Sequence, residues 1–145
     1  KKSRKKDLGA IMMSYGNVYV AQVAMGADPA QLVKAVKEAE EFDGPSVIIA
    51  YTPCSSHGIC VGMQKVQEEM KRAVDSGYWL LYRYNPADET PFHLDSKAPS
   101  MPYTEFLEGE VRYSSLHRSF PENADKYFAQ GAKDAEDRYK KYSEK

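Results

Sequence analysis

The order of apolar runs along these 145 residues predicts an α/β fold: an open, mostly parallel sheet flanked by helices, with an irregular segment and a long C-terminal helix. Three observations carry that prediction. Three β-rich runs alternate with two segments of helical spacing, the second run is apolar without a break, and the end of the chain repeats apolar residues along one side of a helix.

The first run, Asn17 to Ala24 (NVYVAQVA), is β-branched and aromatic and reads as a strand that ends near Gly26. Asp28-Pro29 then offers a cap followed by proline at the first helical position. Leu32, Val33, Val36 and Ala39 recur at helical spacing until Asp43-Gly44-Pro45 stops them. Val47 to Tyr51 is continuously apolar, the pattern of a strand covered on both faces. After a loop, Met63, Val66, Met70 and Ala73 share a helical face, and Ser76-Gly77 closes that helix. Tyr78 to Tyr84 (YWLLYRY) is the third strand, so the order strand, helix, strand, helix, strand implies right-handed crossovers.

From Asn85 to Pro102 the chain is rich in Pro, Asp and Ser and reads as an irregular excursion with a short strand at Phe92 to Leu94. Thr104 to Leu116 reads as helix. Ser119 with Glu122 makes a capping-box pattern before the terminal helix. Ala124, Tyr127, Phe128, Gly131, Ala135, Tyr139 and Tyr142 mark the packed side of that helix, an aromatic stripe read as packing and not as a cofactor box.

A chain of this length forms one domain and buries about two thirds of its unfolded surface. Charged residues are 28% and the formal net charge is −1, so no basic excess argues for nucleic acid or an anionic membrane as partner. The run Lys1 to Lys6 reads as a solvated connection. No apolar stretch reaches the ~20 residues of a membrane span, and the N-terminus lacks the order of a signal peptide. A cytoplasmic protein is therefore expected. The missing initiator Met suggests a piece of a longer polypeptide.

Two cysteines six positions apart are no disulfide framework. Cys54 falls in PSVIIAYTPCSSHGICVGM (Pro45 to Met63), three residues past Tyr51. In open α/β sheets, ligands gather beyond the carboxyl ends of the strands, where loops diverge. Pro53 keeps Thr52 extended, and Gly58 permits a close approach or a positive φ, so the loop delivers the thiol to that rim. The residues alone leave four roles open. Cys54 could fill space, attack as a nucleophile paired with His57, bind zinc together with His57 and Cys60, or ligate an iron–sulfur cluster. Zinc lacks a fourth ligand here, and a cluster lacks three cysteines. A Cys54 that is alkylated well below the ordinary thiol pKa of about 8.5 would favour the nucleophile over a vacant ligand. Cys60 reads as a free thiol, His57 as loop architecture, and His93 and His117 receive no chemistry.

The flanking sequence is more specific than the cysteine. KKDLGAIMMSYGNVYVAQVAMGAD, EAEEFDGPSVIIAYTPCSSHGI, SGYWLLYRYNP, FHLDSKAP and FLEGEVRYSSLHRSFPE resemble consecutive blocks of pyruvate:ferredoxin (flavodoxin) oxidoreductase, from Lys5 to about Lys140. They resemble the C-terminal part of that family's thiamine-diphosphate-binding domain. The resemblance implies that residues 1–145 are one unit of a larger thiamine-diphosphate and iron–sulfur domain. It implies CoA-dependent oxidative decarboxylation of pyruvate to acetyl-CoA and CO₂, with electrons leaving through iron–sulfur clusters to ferredoxin or flavodoxin. Thiamine diphosphate, Mg²⁺ and [4Fe-4S] clusters would be the cofactors of a homodimeric full enzyme.

Cys54 matches the family's ligand to the [4Fe-4S] cluster nearest the thiamine diphosphate. The other ligands, among them a C-x-x-C pair, lie upstream in the family, as do the Mg²⁺ and diphosphate motifs, and this chain has neither a C-x-x-C nor a Gly-Asp-Gly. Ser55 and Ser56 depart from the bulkier apolar-plus-amide pair common after that cysteine. The resemblance assigns no catalytic residue here, and the chain alone is expected to be inactive and free of these cofactors. The alternatives are a structural or interaction module supporting the cofactor domain and an oxidoreductase for another 2-oxoacid.

Overall fold

The computed structural model describes residues 6–145, so the basic run Lys1 to Lys6 lies outside them except for Lys6. A short helix, α1 (Leu8–Met13), opens this region, with the Asp7 carboxylate accepting from the Ala10 N–H at 3.0 Å. Six residues give too little periodicity for the sequence to announce it.

Strand β1 (Tyr19–Val23) and helix α2 (Pro29–Glu41) form where expected. Asp28 is extended and its side chain accepts from the Gln31 N–H at 2.9 Å, a cap in front of a proline already fixed at helical φ. Strand β2 (Ser46–Ala50) pairs in parallel with β1, Tyr19 opposite Ser46 and Val23 opposite Ala50. A 3-10 turn at Met63–Lys65 leads into α3 (Val66–Asp75), which ends at Gly77 with φ +71°. Strands β3 (Tyr82–Tyr84) and β4 (Phe92–Leu94) complete a sheet of order β2-β1-β3-β4.

The α/β class holds, but the sheet is mixed and not mostly parallel. β3 runs antiparallel to β1, with Val20 opposite Tyr84, and β4 antiparallel to β3. The reason is where α3 packs. Its Met70 and Ala73 join Ala24, Tyr51, Tyr78 and Leu81 beyond the carboxyl ends of β1 and β2, so it does not lie along a face as a crossover helix would. The chain therefore leaves α3 at that same end and returns beside β1. The ladder also starts late in YWLLYRY, since the Leu81 N–H donates to Ser96 Oγ (2.7 Å) and the Trp79 ring N–H to the Val23 carbonyl (3.0 Å).

Two further expectations change. β1 is the strand covered on both faces, whereas β2 is the edge, with Ile48 exposed to 38% and nothing paired to its outer side among the described residues. An unbroken apolar run thus marked an edge strand here. The helix expected over Thr104–Leu116 divides into α4 (Tyr103–Gly109), α5 (Val111–Ser114) and α6 (Leu116–Ser119). Glu110 breaks it because its extended backbone bridges to Ile59. Ser119 is consumed as the last residue of α6, so the capping box does not form, and α7 (Pro121–Ser143) starts on Pro121 instead.

Three clusters make the core. Tyr19, Ala21 and Val23 of β1 meet Ala35 of α2 on one face. Val20, Leu80 and Tyr82 meet Met13 and Tyr142 on the other, where Tyr142 stacks on Tyr82 (5.3 Å between centroids) and Phe92 (5.4 Å). The Tyr142 hydroxyl donates to Asp7 at 2.6 Å, tying the end of α7 to the cap of α1. The third cluster fills the carboxyl edge of the sheet with Tyr51, Tyr78, Phe106, Leu107 and Phe128 from four separate segments. The stripe of α7 packs through Ala124, Phe128, Ala135 and Tyr142 as its spacing suggested, but Tyr127, expected on the packed side, is exposed. No described helix is long and apolar enough to cross a membrane.

Candidate functional site

The loop from Thr52 to Gly58 leaves β2 at that third cluster. Its entry is rigid because Tyr51, 7% exposed, donates its N–H to the Val23 carbonyl (3.0 Å) and packs its ring against Trp79 (5.5 Å), Tyr78 (5.9 Å) and Phe106 (6.5 Å). Its interior is a single turn, with the Gly58 N–H donating to the Cys54 carbonyl at 2.8 Å. Gly58 sits at φ +76°, a conformation an L side chain would strain. Its exit is pinned to a distant segment, as Cys60 N–H donates to the Gly109 carbonyl (2.8 Å) and Val111 N–H to the Gly58 carbonyl (3.3 Å).

This scaffold leaves Cys54 half-buried at the edge, with its sulfur 3.1 Å from Nδ1 of His57. The His57 contact is the main cause that pulls the thiol down to about 7, and backbone contacts at His57 and Ser56 add to it. The cysteine is thus no hydrocarbon filler but a thiol poised to ionise near neutrality. Cys60 is exposed and turns elsewhere, its sulfur 3.2 Å from the Glu108 carbonyl and 3.7 Å from Ser114 Oγ. Cys54, His57 and Cys60 are therefore not brought together, and among the described residues no group of three or more His, Cys, Asp or Glu could hold a metal. The zinc alternative loses its geometry.

The nucleophile alternative keeps the thiol–imidazole contact. A base that activates a nucleophile is ordinarily oriented by a third group, and among the described residues none is hydrogen-bonded to His57. The discriminator expected from the sequence fails here: a lowered thiol pKa does not favour the nucleophile over a vacant ligand, because attack and metal ligation both use the thiolate. Alkylation of Cys54 by iodoacetamide is expected to reach half its limiting rate near pH 7, rising with pH as the thiolate forms. In His57→Ala that midpoint should move up toward about 8.5, read peptide by peptide by mass spectrometry; an unmoved midpoint would remove His57 from the thiol's electrostatics.

His93 and His117 lie 3.9 Å from Asp88 and 3.8 Å from Asp125, surface contacts that carry no site. Two shallow hollows of about 260 and 280 Å³ also lie away from the loop, the first lined by Glu38, Phe42 and Asn85 among others, the second by Asp28, Gln31, Arg83 and Asp95 among others.

What sequence reasoning missed is acidic and buried. Glu110 is fully buried, and its carboxylate accepts from the Tyr51 hydroxyl at 2.8 Å. Glu69 of α3 is 1% exposed, and burial pushes its carboxyl up against the opposing pull of Arg72, with Glu110 adding to the rise. The signal available was slight. Gly109 before Glu110 and β-branched Val111 after it weaken the helix at that point, but only the pairing with Ile59 explains the break.

No family model matches the chain. Over 146 aligned residues it is 53% identical to the pyruvate-flavodoxin oxidoreductase of Klebsiella pneumoniae, covering 98% of this chain and 12% of that protein. It is 54% identical to the pyruvate:ferredoxin oxidoreductase of Moorella thermoacetica, covering 97% of this chain and again 12% of the relative. A mitochondrial pyruvate dehydrogenase (NADP⁺) of Euglena gracilis is 43% identical over 98% of this chain and 8% of its own length. The chain thus spans about one eighth of the length of the first two relatives.

Proposed function

We propose, for a chain that is homologous along nearly its whole length to one segment of the pyruvate-flavodoxin and pyruvate:ferredoxin oxidoreductases, that it works as part of such an enzyme. The enzyme would oxidise pyruvate with CoA to acetyl-CoA and CO₂ and pass the electrons to ferredoxin or flavodoxin. The observation that carries this reading is identity above one half across 97–98% of the chain. The cytoplasm, a homodimer of the full enzyme and an upstream segment of the same polypeptide complete the proposal.

Within that enzyme, this chain's contribution is Cys54 as one ligand of a [4Fe-4S] cluster. The donor suits the group: iron–sulfur clusters take soft thiolates, and this thiol is half-exposed, held on a pinned loop and near ionisation at neutral pH. When bound beside thiamine diphosphate, such a cluster takes electrons one at a time from the coenzyme that carries the carbanion chemistry. One thiolate cannot hold it, so the other ligands, with those for Mg²⁺ and the diphosphate, belong to other segments. What Cys54's own surroundings do is hold the loop that carries the sulfur and lower the thiol's pKa toward neutrality.

A single unit of a larger domain also accounts for β2. Among the described residues its outer edge is unpaired, its residues Val47, Ile48, Ile49 and Ala50 are all apolar, and Val33 and Val36 of the neighbouring α2 are exposed to 55% and 46%. Isolated proteins guard such edges with charge. That edge favours the second reading as well, in which the segment chiefly braces the cofactor domain; the two readings are compatible.

The test is reduction of ferredoxin or a viologen dye by the longer polypeptide that contains this chain. Reduction is expected to require both pyruvate and CoA, and the 145-residue chain alone is expected to be inert. Preference for a different 2-oxoacid would reassign the substrate, and no response to any 2-oxoacid would overturn the function.

A further inference from the structure

We infer that Glu110 is a positioning residue for the Cys54 thiol, tying both ends of the 52–58 loop to one buried point. The inference rests on reading Cys54 as a cluster ligand and adds to it the group that aims the sulfur.

At the loop's entry the Tyr51 hydroxyl donates to Glu110 Oε1 at 2.8 Å. At its exit Ile59, 5% exposed, forms the isolated β-bridge with Glu110, and the main chain on either side of Glu110 holds Gly58 and Cys60. Glu110 is therefore joined to the loop by side chain at one end and by backbone at the other, 59 positions from Tyr51 in sequence. Its second oxygen faces Arg112 Nε at 3.3 Å; Arg112 donates in turn to the Tyr78 hydroxyl (3.2 Å), which is 2.7 Å from that of Tyr113.

Burying a carboxylate among aromatic rings is costly unless it is paired, and an apolar side chain would fill the same space without that cost. What the acid adds is direction. Tyr51 cannot rotate without losing that hydrogen bond, and loop ends that cannot move leave Cys54 few ways to point. Groups of this outer kind, which touch the ligand's support and not the metal, are what set ligand orientation in metal sites.

The experiment uses the longer polypeptide with its clusters, in four forms: Tyr51→Phe, Glu110→Ala, Glu110→Gln and Cys54→Ser. Iron per chain, the cluster's electron paramagnetic resonance signal and thermal unfolding are measured for each. Glu110→Gln still accepts from Tyr51 and is expected to keep its iron and signal, whereas Tyr51→Phe and Glu110→Ala should hold this cluster about 10-fold more weakly. Folded Tyr51→Phe or Glu110→Ala protein with undiminished iron and an unchanged signal would overturn the inference, as would loss of the cluster in folded Glu110→Gln. If Glu110→Ala fails to fold, the comparison of Tyr51→Phe with Glu110→Gln decides. Cys54→Ser separates the levels: iron unchanged there sinks the ligand reading itself, while iron lost there but kept in Tyr51→Phe sinks only the positioning role.

Discussion

Arg83→Ala is expected to lower the chain's unfolding free energy by about 3–5 kcal/mol, the loss seen when one partner of a buried ion pair is removed. Arg83 is 7% exposed on β3. Its guanidinium donates twice to Asp95, at 2.9 and 2.8 Å, and once more to Glu38 of α2. Glu38 also accepts from the Tyr19 hydroxyl of β1 (2.9 Å), and Asp95 from the Gln31 side chain (3.0 Å). Alanine would leave Asp95 and Glu38 half-buried without the guanidinium, with Lys34 at 4.0 Å from Glu38 remaining, so the loss comes from poorly compensated charge more than from the missing attraction. Arg83→Lys keeps the charge but not the fork, and should fall between the two. Urea unfolding followed by circular dichroism measures this; a loss under about 1 kcal/mol would mean the network is worth no more than a surface pair.

The same network gives a pH signature with a definite sign. Burial would push the Asp95 carboxyl up, but hydrogen bonds from Arg83 and Gln31 overcome it and hold the group below the usual carboxylate range. A carboxyl with a depressed folded pKa stabilises the protein fully above its unfolded value of about 3.9, and loses that contribution as the pH falls through the folded value. The wild-type chain should lose this increment below about pH 4, and Arg83→Ala should lack that part of the acid limb.

How much of this was legible in the sequence depended on the range of the cause. Asp28-Pro29 and Gly77 act within one helical turn, and both did locally what their chemistry dictates. Gly58 took the positive φ its place in the loop suggested, and the loop did set Cys54 at the carboxyl edge, half-exposed. The direction of β3 was not legible, because it follows from α3 docking at the sheet's end through Met70 and Ala73, a tertiary choice that helical spacing does not record. Nor was the break at Glu110, whose backbone partner is Ile59, or the burial of Glu69, which composition would have placed in solvent. Val47 to Ala50 misled for an instructive reason. Apolar residues on both faces of β2 were read as burial, yet within this chain β2 is an edge, so the pattern records a covering that the described residues do not supply.

Cys54→Ser carries the largest functional effect. In the longer polypeptide it is expected to remove one cluster, about four iron atoms per chain, and to cut pyruvate-dependent electron transfer at least about 100-fold, the upper end of what even an outer-shell change costs a metal site. Serine is nearly isosteric and Cys54 is half-exposed, with a sulfur whose recorded side-chain contact is His57, so the fold has little reason to respond. Stability should stay within about 0.5 kcal/mol of wild type, as for most surface replacements. What changes is the donor. The thiol is pulled down to about 7 and offers a soft anion at neutral pH; a hydroxyl stays protonated there, and its oxygen is a hard ligand that iron–sulfur clusters do not favour. Cys60→Ser is the matched control. Cys60 lies six residues on, but its sulfur is turned toward the Glu108 carbonyl, so its loss should leave iron and turnover alone. Equal iron loss in both variants would point to thiol chemistry spread along the loop, and unchanged iron with unchanged spectra in Cys54→Ser would take the sulfur out of the electron path.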